Sequence, residues 1–410
     1  MHRVFITGVG AITPVGNLVK EFWAAVISGV SGLGNITKFD TTNFSVKIAA
    51  EVKGFDGGKY FSPKEVRRKD MFVQYAVAAA KEAILDAGIK IENEDLTRIG
   101  VIVGSGIGGI ETWAREIKVL EQSPRRVSPF FIPMMIINSA AGEISIRHKF
   151  KGPNYGTVSA CATGAHAIGD AYRLIKYGYA DVVVTGGSEA AITPLAVAGF
   201  ANMKALSTKN EVPHKASKPF DLERDGFVIG EGAGIVILES EEHAVKRDAT
   251  QKYCEIIGCG MTGDAYHITA PEPSAVEAAR AMKLALEEGS CNPEEVDYIN
   301  AHGTSTPLND KIETQAIKIA FGEYAYKLPI SSTKSMIGHL LGASGAVELI
   351  ATCLSIKEGI IHPTINIEHP DPDCDLNYTP QIAKKVDIRV AVSNSFGFGG
   401  HNISIAIRKI

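Results

Sequence analysis

An internal echo constrains the fold of this chain more than any other feature. TVSACATGAHAIGDAYRLI (157–175) and ISSTKSMIGHLLGASGAVELI (330–350) share one plan. Each runs from a strand-like start through a turn of small residues into a glycine-rich helix. Three further matches accompany it: RVFITGVG (3–10) with EIIGCGM (255–261), IGVIVGSGIGG (99–109) with VDYINAHGTST (296–306), and FVIGEGAGIVILE (227–239) with RVAVSNSFGFGGHNISIAI (389–407). No short tandem repeat is present, so the pattern predicts two related halves rather than a solenoid. They meet near residue 250, where KRDATQKY is polar. The expected division is 1–250 and 251–410, with turns from both halves converging on one central site.

The class of each half follows from periodicity. Apolar runs begin RVFITGVGAI (3–12), RIGVIVGSGIGG (98–109), ADVVVTGGSE (180–189), GIVILES (234–240), VDYINAHGTST (296–306) and IRVAVSNSFGFGG (388–400). Each reads as a buried strand ending in glycine-rich punctuation. Helical patterns separate them, including RKDMFVQYAVAAAKEAILDAG (68–88) and SAVEAARAMKLALEEG (274–289). Alternating strands and helices predict an α/β fold. Hydrophobic residues at 45% support a large core, and a net charge of −4 predicts no broad affinity for nucleic acid. No apolar run reaches the ~20 residues of a membrane span, so membrane insertion is not expected. The start MHRVFITGVG lacks a signal-peptide pattern. A cytoplasmic protein is expected, and a trimmed organellar form would read the same.

The chemistry gathers in the turns. Six scattered cysteines show no CxxC spacing, which argues against zinc and against a disulfide framework. Cys161 differs from the other five in its setting, flanked by Ser159, Ala160, Ala162, Thr163 and Gly164 just before a predicted helix. Helix N–H groups there would favour a thiolate nucleophile, and the Cys161 N–H could hold an oxyanion. Burial as an inert core thiol is the competing reading. His302, after VDYIN, and His339, five residues beyond Lys334, both sit among Gly, Ser and Thr rather than on apolar helix faces. Two such histidines, with a cysteine in a matching turn, point to catalysis. SNSFGFGGHN (393–402) exposes backbone N–H groups around Phe398, suited to an oxyanion hole or a gate.

Together, VSACATGAHAIGDA, NAHGTSTPLND, STKSMIGHLLGASGA and SNSFGFGGHN resemble the β-ketoacyl-[acyl-carrier-protein] synthases with a Cys-His-His site, most closely the synthase II group. The likeness extends along nearly the whole chain, through GSGIGG (104–109), GFANMKALS (199–207), RDGFVIGEGAG (224–234) and GDAYHITAPEP (263–273). It implies a thiolase-like fold, duplicated halves in a five-layered αβαβα core, usually as a homodimer. It also implies decarboxylative condensation of an acyl thioester with malonyl-carrier protein in fatty acid elongation, without a cofactor. Thiolases carry a second catalytic cysteine that SNSFGFGGHN lacks. Initiating synthases place asparagine where His339 stands, and chain-length factors lack the cysteine. A non-condensing carrier-binding subunit and a polyketide ketosynthase are the alternatives.

By the same resemblance, Cys161 takes the acyl chain, and the N–H groups of Cys161 and Phe398 form the oxyanion hole. His302 and His339 stabilise the enolate, while Lys334, Asp310 and Glu313 orient them. Ile107, Phe131 (lent by the other subunit), Phe200, Thr304, Thr306 and Phe398 line the substrate path. Lys64, Arg67, Arg68, Lys69, Arg125, Arg126 and Lys204 form a basic docking surface for acidic acyl-carrier protein, the first four on one helix start. A structural cation site is implied at Asn300, Glu348, Ser393 and Asn394. Two residues depart from the family pattern. Ile337 replaces the usual threonine of KSMTGH, and His401 that of GFGGTN; both could change the polarity of the pocket.

Overall fold

The V- and I-rich runs become strands, and ten of them hydrogen-bond into one sheet. The computed structural model describes all residues from Met1 to Ile410. The strands are β1 (Val4–Ile12), β2 (Ile99–Gly104), β3 (Asn154–Tyr155), β4 (Val182–Glu189), β5 (Gly232–Ser240), β6 (Cys254–Gly263), β7 (Tyr298–Asn300), β8 (Ile330–Ser331), β9 (Val390–Gly397) and β10 (His401–Arg408). The first five lie in the order β3-β2-β4-β5-β1 and the second five in the order β8-β7-β9-β10-β6. That is one order used twice. The senses repeat as well: the first three strands of each set are parallel, and the last two pair antiparallel. The two sets join edge to edge through β1 and β6, antiparallel, with Val4 opposite Ile256.

All four sequence echoes map onto this duplication. In the fourth, GEGAG leads into β5 and GFGGH into its equivalent β10, while β9, at the start of the longer stretch, has β4 as its counterpart.

Six helices build the layers: α1 (Met71–Ala87), α2 (Ser139–His148), α3 (Thr163–Lys176), α4 (Val276–Glu288), α5 (Pro307–Phe321) and α6 (Ser344–Glu358). α1 and α2 cover the outer face of the first sheet half, and α4 with α5 covers the outer face of the second. α3 and α6 lie between the halves, against the largest apolar cluster. The result is the expected five-layered αβαβα arrangement. Every residue of α6 except Lys357 and Glu358 is buried, as a helix enclosed by two sheets requires. α3 and α6 meet at their first turns, where a Cβ on Gly164 would come 2.8 Å from the Gly342 carbonyl. Only glycine allows that approach.

α1 starts three residues later than its pattern, because Asp70 caps it by accepting the Phe72 N–H at 3.4 Å. Arg67, Arg68 and Lys69 therefore occupy the link between a short capped turn (Pro63–Val66) and α1, not a helix start. No helix is long and apolar enough to cross a membrane.

Candidate functional site

The two echoed turns become two strained elbows that face each other. Ala160 (φ 50°) opens the turn Ala160–Ala162 before α3, and Leu341 (φ 48°) opens the turn Leu341–Ala343 before α6. Positive φ in non-glycine residues is costly and concentrates where function holds it. Strand β9 ends against the first elbow. A Cβ on Gly397 would lie 2.8 Å from Ser159 O and 3.2 Å from Cys161 N, so glycine is required for the fit.

A cavity of about 410 Å³ forms where these turns meet, walled by Cys161, His302, His339, Ile107, Phe200, Thr304, Thr306 and Phe398. It opens beside the exposed Lys204, Met203 and Leu308. Segments far apart in sequence thus share one space. Phe131 does not line this chain's cavity and is half-buried on its own helix turn.

Cys161 is only 8% exposed. α3 begins behind it as expected, yet the expected stabilisation of a thiolate is outweighed. Burial pushes the thiol up to about 11, against the pull of the Phe398 and Cys161 N–H groups and of Lys334. The resting group is a neutral thiol, with two backbone N–H groups facing its sulfur.

The histidines are held neutral and oriented. Burial, reinforced by Lys334, keeps both well below the usual imidazole range, and His339 adds to the effect on His302. His339 Nδ1 accepts the Leu341 N–H at 3.2 Å and lies 2.8 Å from Ser344 Oγ. Its proton therefore sits on Nε2, which is buried and has no partner within the protein. Lys334 Nζ stands 3.4 Å from His302 Nδ1 and donates to the His302 carbonyl at 2.6 Å. An ammonium beside Nδ1 fixes the proton of His302 on Nε2 too. The rings meet edge to face, with centroids 5.4 Å apart.

The supporting contacts differ in part from those implied by resemblance. Lys334 is buried and pairs with Glu348, whose carboxyl burial pushes up to about 7. Glu313 accepts the His302 and Gly303 N–H groups at 2.8 and 2.7 Å, so it fixes the His302 backbone. Asp310 instead accepts the Phe220 N–H at 2.9 Å and faces Arg224 at 3.4 Å, behind the Thr304–Thr306 turn. Thr304 and Thr306 bond each other at 2.9 Å. Sequence reasoning missed Ser344, whose signal is its match to Thr163, and Glu189, whose signal is a charge ending the apolar run VVVTGGSE.

Two of the four residues implied for a cation carry free buried oxygens. Asn300 Oδ1 and Glu348 Oε2 are buried without partners, a donor pair that fits a hard cation. Ser393 pairs opposite Asn300 in the sheet. The Asn394 side chain is already engaged, with Ser404 Oγ at 2.8 Å. Ile337 is fully buried in the central core and lies outside the cavity wall, so the lost hydroxyl leaves pocket polarity unchanged. His401 is exposed and its ring packs against Gly399 of the Phe398 turn.

Of the basic residues, Lys64, Arg67, Arg68, Arg125, Arg126 and Lys204 are exposed. Lys69 is paired with Glu143, and Arg68 lies 4.1 Å over the Phe130 ring. Lys204 alone reaches the cavity mouth.

Comparison with known proteins agrees with this geometry. Residues 1–244 match the family model of the β-ketoacyl synthase N-terminal domain, and residues 253–368 match that of its C-terminal domain. The 3-oxoacyl-[acyl-carrier-protein] synthase 2 of Synechocystis sp. is 51% identical over 408 residues, covering 99% of this chain and 98% of that protein. The protein of the same name from Coxiella burnetii is 50% identical over 410 residues, covering 100% and 99%. Among solved structures, a β-ketoacyl synthase from Burkholderia phymatum superimposes with a TM-score of 0.92 at 37% identity, covering both chains fully. A type II PKS ketosynthase in complex with its acyl-carrier protein gives 0.92 at 36%, covering 100% and 99%.

Proposed function

Since the chain belongs to the β-ketoacyl synthase family, we propose that it condenses an acyl thioester with malonyl-carrier protein in fatty acid chain elongation. The products are 3-oxoacyl-carrier protein and CO₂. One observation carries the assignment of residues: a buried thiol and two neutral imidazoles, each with its proton on Nε2, share one cavity. The name shared by the relatives at 50% identity favours elongation over polyketide assembly.

In the first half-reaction the Cys161 sulfur attacks the acyl carbonyl. The N–H groups of Cys161 and Phe398 hold the developing oxyanion. The C–S bond to the carrier breaks, and the thiol proton ends on the departing carrier thiol. In the second, the malonyl carboxylate leaves as CO₂ and its charge moves into the thioester as an enolate. His302 and His339 donate from Nε2 to the enolate oxygen. The enolate carbon attacks the acyl-cysteine, expelling a thiolate that burial makes strongly basic and quick to recapture a proton. Ile107, Phe200, Thr304 and Thr306 shape the acyl and pantetheine path. Loss of CO₂ supplies the driving force.

The exposed basic residues are proposed as the docking surface for acidic acyl-carrier protein, with Lys204 at the mouth. Tyr155 on β3 and Val158 just after it are exposed at the free edge of the sheet and support a homodimer across that edge; the resemblance implies that Phe131 would then serve the cavity of the other subunit. A structural cation would be held by Asn300 and Glu348, balancing the carboxylate charge. The purified chain, given acyl- and malonyl-carrier proteins, is expected to form 3-oxoacyl product. Cys161→Ala is expected to abolish it, and normal turnover by that variant would remove the assignment.

A further inference from the structure

Glu189 ends β4 and is fully buried without a cationic partner. An unpaired carboxylate in such a place is expensive unless donors surround it. Four do. Ser105 Oγ (2.8 Å) and the Ile107 N–H (3.2 Å) donate to Oε1. The Gly106 N–H (2.8 Å) and Gly342 N–H (3.0 Å) donate to Oε2. Three donors belong to the first half, and the fourth belongs to the elbow of the second.

The duplication shows what this contact replaces. β4 and β9 are equivalent strands, each of eight residues, so Glu189 corresponds to Gly397. The elbow Ala160–Cys161–Ala162 corresponds to Leu341–Gly342–Ala343. At the first elbow, Gly397 leaves the Cys161 N–H free to face sulfur and substrate. At the second, the Glu189 carboxylate fills the matching place and ties down the Gly342 N–H. The neighbouring Leu341 N–H is the group that donates to His339 Nδ1.

We propose that Glu189 is a positioning residue for the reaction. By clamping the strained 341–342 elbow it keeps the Leu341 N–H on His339 Nδ1, and so keeps the Nε2 proton of His339 aimed into the cavity. The same carboxylate fixes Ile107 on the acyl wall, coupling chain binding in one half to enolate stabilisation in the other. The proposal rests on the functional reading above. Glutamine at this place would retain the shape but turn an amide NH₂ toward N–H donors, breaking at least one of the four bonds.

The test takes Cys161→Gln protein as parent, because malonyl-thioester decarboxylation is its expected turnover. Adding Glu189→Gln is expected to lower kcat about tenfold, equivalent to ~1.4 kcal/mol, with KM little changed. In ¹⁵N-histidine spectra the His339 Nδ1 signal is expected to move from the unprotonated toward the protonated range. If Glu189→Gln is not recovered folded, Glu189→Asp, which keeps the charge but withdraws it by one methylene, carries the same readouts. A folded variant with parental kcat and an unchanged His339 signal overturns the proposal. If the Cys161→Gln parent does not decarboxylate malonyl thioester, the functional reading fails instead. The spectra of the otherwise native protein then decide the Glu189 clamp alone.

Discussion

Replacing Lys334 by methionine separates stability from chemistry at the centre of the site. The ammonium is buried and serves Glu348, the His302 carbonyl and His302 Nδ1. Its removal leaves Glu348 with both oxygens unpartnered, because Oε2 has no partner even now. Breaking a buried pair from one side costs about 3–5 kcal/mol. Unfolding entropy of about 2.1 cal/mol/K per residue gives ~0.86 kcal/mol/K for a chain of this length, so the melting temperature should fall by about 4–6 °C. Adding Glu348→Leu should recover most of that loss, since an apolar pair replaces a buried ion pair at little cost.

Activity should not return with stability. Without the ammonium, His302 Nδ1 is free to take the proton, and Nε2 then stops donating to the enolate. The loss of an aligned donor is worth up to about 10²–10³ in rate. The assay is scanning calorimetry alongside malonyl-thioester decarboxylation for native, single-variant and double-variant proteins. If Lys334→Met melts within about 1 °C of native and decarboxylates at the native rate, the roles given to Lys334 are refuted. If the double variant regains both properties, Lys334 has no part in orienting His302.

Three further outcomes are expected. With its thiol raised from 9.0 to about 11, Cys161 should be about 10⁻⁴ thiolate at pH 7. Iodoacetamide labelling followed by mass spectrometry should climb about tenfold per pH unit through pH 10, and a plateau by pH 8 would contradict the burial argument. Because both cavity histidines, His302 and His339, sit well below 6.5, they stay neutral as pH falls. Decarboxylation by Cys161→Gln protein should show no acid limb near pH 6.5, and one near that value would refute neutral imidazoles. His243 is raised by its bonds to Glu239, at 2.6 Å, and Glu94, at 2.8 Å. Its stabilisation is complete below the unfolded value of 6.5 and is lost as pH rises through the higher folded value. The melting temperature should therefore decline from pH 6.5 upward, and His243→Gln should flatten that decline.

Much of this was legible in the sequence because strands and turns are written locally. VVVTGG and IGVIVG are strands by composition, and the elbows around Cys161 and KSMIGHLLG stand out as small-residue turns before helices. The duplication was visible wherever those turns repeat, including the glycine runs that lead into the equivalent strands β5 and β10. Burial was not legible. A helix start behind Cys161 argues for a thiolate in isolation, and only the enclosed cavity shows that desolvation prevails. Partners chosen across the fold were equally hidden. Nothing near Lys334 selects Glu348 over Asp310, because both are acids on neighbouring helices, one downstream and one upstream, and packing decides which one faces the ammonium. Glu189 marked the end of a strand, but its link to Gly342 crosses the boundary between the halves.

If Cys161 carries the growing chain, intact-protein mass spectrometry should show it loaded. The purified protein, mixed with acyl-carrier proteins of graded chain length and no malonyl partner, should gain the mass of one acyl group, mapped to Cys161. Malonyl-carrier protein should then discharge it as 3-oxoacyl product. An acyl group on any other residue, or equal loading of Cys161→Ala protein, would contradict the account.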